Sequence, residues 1–274
     1  ATGLALAIAW LLASRISRPL KAMARSAATL GRGQMPAPLP DDGPEELGRL
    51  AHAFNTMAAD LQRHERDRSE VLAGISHDLR TPLTRLRLEA ELSVNDDHAR
   101  EGIVSDIEQM EAVISQFMDY ARSDSGETPQ TSKLSDILAS ICERQIALGH
   151  LGTQEIADFP EMPLRTKALT RAINNLIDNA WKYGGGAVSL KAFTVNHEIC
   201  IEITDRGPGI PESEAERMKR PFTRLENART DVTGTGLGLA IVERVARLHG
   251  GCLKLLPNPD GGLIARLILK PGAN

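Results

Sequence analysis

Gly74-Ile75-Ser76-His77-Asp78-Leu79-Arg80-Thr81-Pro82-Leu83 is the stretch around which the rest of the chain is organised. Apolar residues in and around it fall at Leu72, Ile75, Leu79, Leu83, Leu86 and Ala90, in steps of three and four. That spacing predicts a helix with one apolar stripe turned toward partner helices. His77 follows Ile75 by two residues, so at about 100° per residue it points roughly 160° away from the stripe. Thr81 shares the His77 face one turn later. Pro82 lacks a backbone donor and predicts a kink. By itself, His77 reads as a surface histidine on a coiled-coil helix.

Length and composition bound the rest. A chain of 274 residues holds two or three modules, at about 100–200 residues each. Apolar content of 42% and charged content of 25% are ordinary for globular protein. A net charge of −4 with no basic block gives no support for nucleic-acid binding. Cys142, Cys200 and Cys252 are odd in number and lack CxxC spacing, which predicts reduced core residues, not a disulfide frame or zinc site. Aromatics are only 3%, so the core must be aliphatic.

Working outward toward the N-terminus, a polar stretch from Leu61 to Leu72 interrupts the heptads with stutter spacing. Before it, Leu47, Leu50, Phe54, Met57 and Leu61 predict one amphipathic helix, and Ile16, Leu20, Met23, Ala27 and Leu30 another. Pro19 is expected in the first turn of that earlier helix, where its missing donor costs little. A Gly/Pro/Asp-rich connector from Gly31 to Pro44 joins the two. The apolar run Gly3 to Ala13 is shorter than the roughly 20 residues a bilayer span needs. It reads as a signal-peptide core or as the end of a membrane helix. Arg15, Arg18, Lys21 and Arg25 follow directly, as on a cytoplasmic flank, and favour the membrane helix.

Toward the C-terminus, Ile103, Ile107, Met110, Ile114, Phe117 and Ala121 predict a second helix for the His77 module. A two-helix hairpin cannot bury two such seams alone, so a homodimeric four-helix bundle is expected. Asp124 to Ser132 is polar and reads as a hinge. Beyond it, helices are predicted at Leu134–Leu148, Thr166–Tyr183 and Leu237–Leu248. Strands are predicted at Ala187–Val195, Glu198–Asp205, Cys252–Leu256 and Leu263–Lys270. Helices segregated from a mostly antiparallel sheet make an α/β sandwich. There is no GxxxxGK(S/T) run, so nucleotide binding through a P-loop is excluded. Gly234-Thr235-Gly236-Leu237-Gly238 opens a helix but follows no strand, and its GxGxG spacing is not the dinucleotide fingerprint. A glycine-rich turn at a helix N-terminus nevertheless suits phosphates.

Ser76-His77-Asp78-Leu79-Arg80-Thr81-Pro82-Leu83 resembles, without a gap, the phosphoacceptor box of bacterial sensor histidine kinases. The two heptad helices around a Pro/Gly connector resemble a HAMP linker, with Pro19 and Pro44-Glu45-Glu46-Leu47-Gly48 in the family's places. Asn175-Leu176-Ile177-Asp178-Asn179-Ala180-Trp181-Lys182-Tyr183-Gly184 resembles the N box of the ATPases shared by histidine kinases, type II topoisomerases and heat-shock ATPases. Asp205-Arg206-Gly207-Pro208-Gly209-Ile210 resembles its first glycine box, and Gly234 to Gly238 its second.

The resemblance implies the end of a transmembrane helix at 1–13, a HAMP linker at 14–66, a dimerisation and phosphotransfer module at 67–128 and an ATP-binding domain at 129–274. It implies ATP with Mg²⁺ as cofactors and His77 as phosphoacceptor. Asp78 would orient or deprotonate the imidazole, and Thr81 would place a water for dephosphorylating the partner. Asn179 would bind Mg²⁺, with Asn175 one turn before it. Lys182 would contact phosphate, Tyr183 would lie against the adenine, and Asp205 would accept a bond from the adenine amine. Gly207, Gly209, Gly234, Thr235, Gly236, Leu237 and Gly238 would line the nucleotide. Glu212 to Asp231 would be the lid, with Pro221-Phe222 a remnant of the F box and Lys219 where the family carries an aromatic residue. Arg224 and Arg229 read either as γ-phosphate contacts or as surface charge. The implied partners are a second copy of the chain, the bacterial inner membrane and a response-regulator receiver domain. The run from Asp78 to Arg85 looks closest to osmosensor kinases of the EnvZ kind, which implies an OmpR-like transcription factor. Two rival readings are a nucleotide-binding scaffold without phosphoryl transfer, favoured by Lys219, and a chain acting mainly as regulator phosphatase, permitted by Thr81.

Overall fold

The computed structural model describes residues 2–31, 35–41, 44–93, 96–121, 127–225 and 234–270. The chain divides into two compact units, 1–68 and 69–274.

In the first unit, α1 (Thr2–Gly31) runs through the apolar stub and the first amphipathic segment without a break. Pro19 therefore lies inside the helix and not in its first turn, because the helix begins well before the segment that predicted it. None of the helices with described residues is long and apolar enough to cross a membrane. The second helix, α2 (Glu45–Ser93), opens with the Gly48 N–H bonded to the Pro44 carbonyl at 2.8 Å. The connector is pinned to it by one side chain. Asn55 Oδ1 accepts from the Leu39 N–H and Asn55 Nδ2 donates to the Leu39 carbonyl, each at 2.9 Å, which buries Leu39. The stretch from Leu61 to Leu72 is helical throughout, so α2 joins the second heptad segment to the His77 segment as one element.

In the second unit, residues 69–93 of α2 pack antiparallel to α3 (Asp97–Ala121). Ser69 Oγ meets the Ala121 carbonyl at one end, and Arg87 pairs with Glu108 at 3.2 Å toward the other. Asp96 caps α3 through Oδ1 to the His98 N–H at 3.0 Å. The face that residues 69–93 of α2 bury within the chain is Ser76, Leu83 and Ala90, a heptad apart. Of the expected stripe, Ile75, Leu79 and Leu86 stay about half exposed, as do Ile103 and Met110 on α3. A helix hairpin gives each helix one neighbour, so only a strip of each apolar face is covered.

The C-terminal domain starts earlier than the hinge reading allowed. Residues 124–126 of that segment lie outside the described residues, but β1 (Gln130–Lys133) pairs antiparallel with β3 (Glu161–Leu164). Between them come α4 (Leu134–Ala147) and β2 (Thr153–Ile156). Each of these strands is only four residues long, and β3 contains Pro163, so propensity alone misses them. α5 (Thr166–Tyr183), β4 (Ser189–Val195), β5 (Glu198–Thr204), α7 (Gly238–Leu248), β6 (Cys252–Pro257) and β7 (Leu263–Leu269) fall within two residues of expectation. The lid segment adds a short helix, α6 (Glu212–Met218). The five-stranded sheet has the order β2-β4-β5-β7-β6, antiparallel except for the β2–β4 pair.

Alternation decides which face of the sheet is covered. Ile199, Ile201 and Ile203 of β5 join Leu169, Ile173, Leu176 and Ile177 of α5 and Ile241 and Val245 of α7 in one aliphatic core. Cys142 is inside it, and burial pushes its thiol up to about 11. The opposite face carries charges in register across the strands: Glu155 with Lys191 at 3.0 Å, and Glu202 with Arg266 at 2.5 Å. The candidate nucleotide residues of this domain accordingly gather on the helix side.

Candidate active site

His77 stands on α2 with its side chain 82% exposed and Asp78 beside it 87% exposed. Their neighbour Ser76 is the residue turned toward α3. The Asp78 carboxylate reaches back along the helix to place Oδ1 3.6 Å from His77 Nδ1, an electrostatic contact longer than a hydrogen bond. Thr81 Oγ1 donates to the His77 carbonyl at 3.4 Å, one turn on. The imidazole is thus presented to solvent with an acid against one ring nitrogen.

The second cluster is built on α5. Its apolar face is in the core, which turns Asn175 and Asn179 toward the start of α7. Asn175 Nδ2 donates to the Arg171 carbonyl at 3.1 Å, leaving Oδ1 as its acceptor. Both amides face Gly238, where an added Cβ would lie 3.1 Å from Asn179 Nδ2 and 3.6 Å from Asn175 Oδ1. The N box and the second glycine turn therefore meet. The Leu237 side chain lies in the core at 1% exposure, so only its backbone remains for a ligand, and its N–H is held by Thr235 Oγ1 at 3.3 Å. Gly236 has φ +70 and packs on the backbone of Phe222 and Thr223, joining the turn to the F-box remnant.

Asp205 follows β5 and is buried. Its Oδ1 accepts from the Gly207 N–H at 2.9 Å and the Leu263 N–H at 3.2 Å, so the carboxylate is fixed in rotation with Oδ2 as its second acceptor. Gly207 comes so close to the end of α5 that a Cβ would sit 2.2 Å from the Tyr183 carbonyl. That approach admits only glycine and brings the first glycine box against the N box. The Tyr183 hydroxyl lies against Gly234, and Lys182 is exposed beside it. Asp178 has its pKa raised by burial, offset in part by Lys182, His150 and Arg144.

The departure at Lys219 is absorbed by packing. Its side chain is only 12% exposed, with the aliphatic stem buried and the ammonium paired to Glu216 at 2.5 Å. Phe222 is exposed, with φ +60 and its ring 6.5 Å from Phe117 of α3. Arg224 is half-buried, while Arg229 and lid residues 226–231 lie outside the described residues.

Several contacts had no signal in the sequence. Glu127 caps α5 from the linker, its carboxylate accepting from the Lys167 and Ala168 N–H groups at 2.9 and 3.0 Å. Thr235 Oγ1 bonds Gln116 of α3 at 2.5 Å, and Arg244 Nη1 donates to the Tyr120 carbonyl at 3.1 Å. An open cleft of about 580 Å³ between α3 and α5 is lined by Asp119, Arg171, Asn174, Asn175 and Asp178. The C-terminal domain thus rests on α3, while His77, Asp78 and Thr81 stand exposed on α2.

Comparison with known families follows this layout. The HAMP domain matches residues 11–63, the His Kinase A (phospho-acceptor) domain residues 67–126, and the histidine kinase-, DNA gyrase B- and HSP90-like ATPase residues 165–273. The chain belongs to the sensor histidine kinases. Among members of that family it is similar to the sensor histidine kinase GtrS of Pseudomonas aeruginosa, 36% identical over 256 residues, covering 92% of this chain and 52% of the relative. It is also similar to the signal transduction histidine-protein kinase/phosphatase MprB of Mycolicibacterium smegmatis, 32% identical over 270 residues, covering 89% of this chain and 53% of the relative. The chain spans about half the length of these curated relatives. The crystal structure of full-length ShkA in complex with AMPPNP aligns with a TM-score of 0.60 at 21% identity, over 75% of this chain and 47% of that one, and shows the shared fold.

Proposed function

We propose that this chain is the signalling half of a two-component kinase. It transfers the γ-phosphoryl of ATP to His77 and passes it to an aspartate on a response-regulator receiver domain. The observation that carries this reading is the convergence of Asn175, Asn179, Asp205, Tyr183 and Gly238 around the end of α5, in a chain whose α2 presents His77 to solvent. In the transfer, a P–N bond forms at His77 and the bond from the γ-phosphorus to the β,γ-bridging oxygen breaks, with ADP leaving. Asp78 stands on the Nδ1 side, which favours Nε2 as the attacking nitrogen and lets the carboxylate orient the ring and take up the Nδ1 proton as the P–N bond forms. The remaining work is positioning and charge neutralisation.

Asn179 Oδ1 is a hard oxygen donor of the kind Mg²⁺ takes, and the two facing amides suit that ion at the α5–α7 junction. When bound, Mg²⁺ neutralises phosphate charge. The backbone N–H groups opening α7 favour the same anion. The reading also includes homodimerisation through the half-exposed apolar stripes of α2 and α3, and an inner-membrane location with these domains on the cytoplasmic side. An OmpR-like regulator is the expected partner class, from the EnvZ-type resemblance of the phosphoacceptor box. Thr81 on the His77 face, together with the kinase/phosphatase name of the MprB relative, supports a second activity against the phosphorylated regulator.

The test is incubation with γ-labelled ATP and Mg²⁺. Wild type is expected to take up acid-labile, alkali-stable label, which His77→Gln and Asn179→Ala both lose. ATP binding without label on wild type would overturn the kinase reading in favour of a scaffold or phosphatase.

A further inference from the structure

The β6–β7 hairpin, Asn258-Pro259-Asp260-Gly261-Gly262, belongs to none of the motifs that identify the family boxes in this sequence. Its composition reads only as a turn. In the fold it lies against the Asp205 loop. The Asp205 N–H donates to the Leu263 carbonyl at 2.9 Å, and the Leu263 N–H returns to Asp205 Oδ1 at 3.2 Å. Gly262 has φ +103, and a Cβ there would come within 2.2 Å of the Asp205 carbonyl and 2.7 Å of Arg206 Cα. The two loops touch backbone to backbone.

A side chain of the hairpin adds to this contact. Asn258 Nδ2 donates to the Asp205 carbonyl at 2.9 Å and to the Gly261 carbonyl at 2.8 Å. Its Oδ1 accepts from the Asp260 N–H at 3.2 Å, and the Asn258 N–H bonds the Gly262 carbonyl at 3.1 Å. Asn258 therefore ties the turn to itself and to the one residue whose carboxylate the nucleotide reading assigns to the purine. With Asp205 held at its N–H, its carbonyl and Oδ1, little freedom remains in the direction of Oδ2.

We propose that Asn258 is a positioning residue for purine recognition: by anchoring the Asp205 backbone it aims Oδ2 at an exocyclic amine, so that it sets the preference for adenine over a 6-oxo purine. The proposal rests on the assignment of Asp205 to the adenine amine. An acceptor fixed in place rejects a 6-oxo group, because two acceptors face each other with no proton between them. An acceptor free to swing discriminates less.

The test measures binding of ATP and inosine triphosphate to the full chain by calorimetry, with thermal unfolding of each variant alongside. Asn258→Asp keeps the side-chain shape and the Oδ1 bond to the turn but replaces the donor with an acceptor. Asn258→Ala removes both. Asp205→Asn is the reference, since an amide NH₂ at the Oδ2 position accommodates a 6-oxo group and rejects an amine. Wild type is expected to prefer ATP, Asp205→Asn to lose or invert that preference, and both Asn258 variants to reduce the ATP-to-inosine ratio about tenfold, roughly one strained hydrogen bond. That loss should come from weaker ATP binding. A ratio that stays at the wild-type value in folded Asn258→Asp, while Asp205→Asn collapses it, overturns the positioning role and leaves the Asp205 assignment standing. A ratio unmoved in Asp205→Asn overturns the assignment, and the proposal with it.

Discussion

At the scale of single residues, what could be read from the sequence depended on how far away each partner lay. His77, Asp78 and Thr81 lie within about one turn of helix, and Asn175 and Asn179 share one face, so spacing alone groups them. Asn258 reaches Asp205 across 53 residues, Glu127 reaches α5 across about 40, and Gln116 meets Thr235 across 119. No local pattern encodes such pairs. Lys219 is instructive for the opposite reason, because the sequence marked it as a departure and the structure shows how it is accommodated. The stem is buried while the ammonium stays with Glu216. Lys219→Met, which keeps the apolar stem, should therefore unfold within about 1 kcal/mol of wild type. Lys219→Ala removes three methylenes and should cost about 2 kcal/mol. Denaturant unfolding of the two variants checks this, and equal stability of Ala and Met would mean that the stem packs against nothing of consequence.

At the scale of elements, α1 and α2 run on past the segments that predicted them, whereas the long helices and alternating strands of the C-terminal domain were legible to within two residues. The short strands β1, β2 and β3 were not, because each is held by its neighbour more than by its own composition. The α5 helix shows what the sequence leaves out. Its register is clear, but its N-terminus is fixed by a carboxylate from the linker and by a histidine from the far end of α7. Glu127→Ala should remove the cap and cost about 1 kcal/mol, lowering Tm by about 3 °C. His249 donates from Nδ1 to the Val245 carbonyl at 2.9 Å and accepts from the Arg165 N–H at Nε2, 3.2 Å away, which fixes the neutral tautomer. The groups facing it are the Arg165 guanidinium, which Glu127 also engages through its carbonyl, and the Glu127 carboxylate. Burial lowers the His249 pKa below its ordinary 6.5, and Arg165 adds to that. The unfolded chain then binds the proton more readily, so stability is full above 6.5 and is lost as pH falls from there toward the folded value. Thermal scans at pH 7.5 and 5.5 should show a larger drop for wild type than for His249→Gln, although the variant starts lower. An identical drop in both would remove His249 from the pH dependence.

At the scale of the whole molecule, the hairpin of α2 and α3 is the least self-sufficient part. Each helix buries one strip against the other and leaves a second apolar strip about half exposed, at Ile75, Leu79 and Leu86 on α2 and at Ile103 and Met110 on α3. Single exposed leucines are ordinary on a protein surface, but contiguous stripes at helical spacing mark an interface. In the proposed homodimer a second copy would supply the matching stripes through a two-fold axis, which counts every contact twice. Placing an aspartate at both Leu79 and Leu86 would then put four charges into one bundle core. At about 1.4 kcal/mol per tenfold, even 1 kcal/mol per charge weakens the dimer about a thousandfold. Sedimentation of the wild type at micromolar concentration should give a dimer, and Leu79→Asp/Leu86→Asp a monomer of unchanged helicity. Leu92→Asp is the control, because Leu92 is 76% exposed beside the turn that joins α2 to α3, outside the stripe, and its loss should leave the mass unchanged. A monomeric wild type, or a double variant that still dimerises, would place the subunit contact elsewhere and leave these stripes for a different partner.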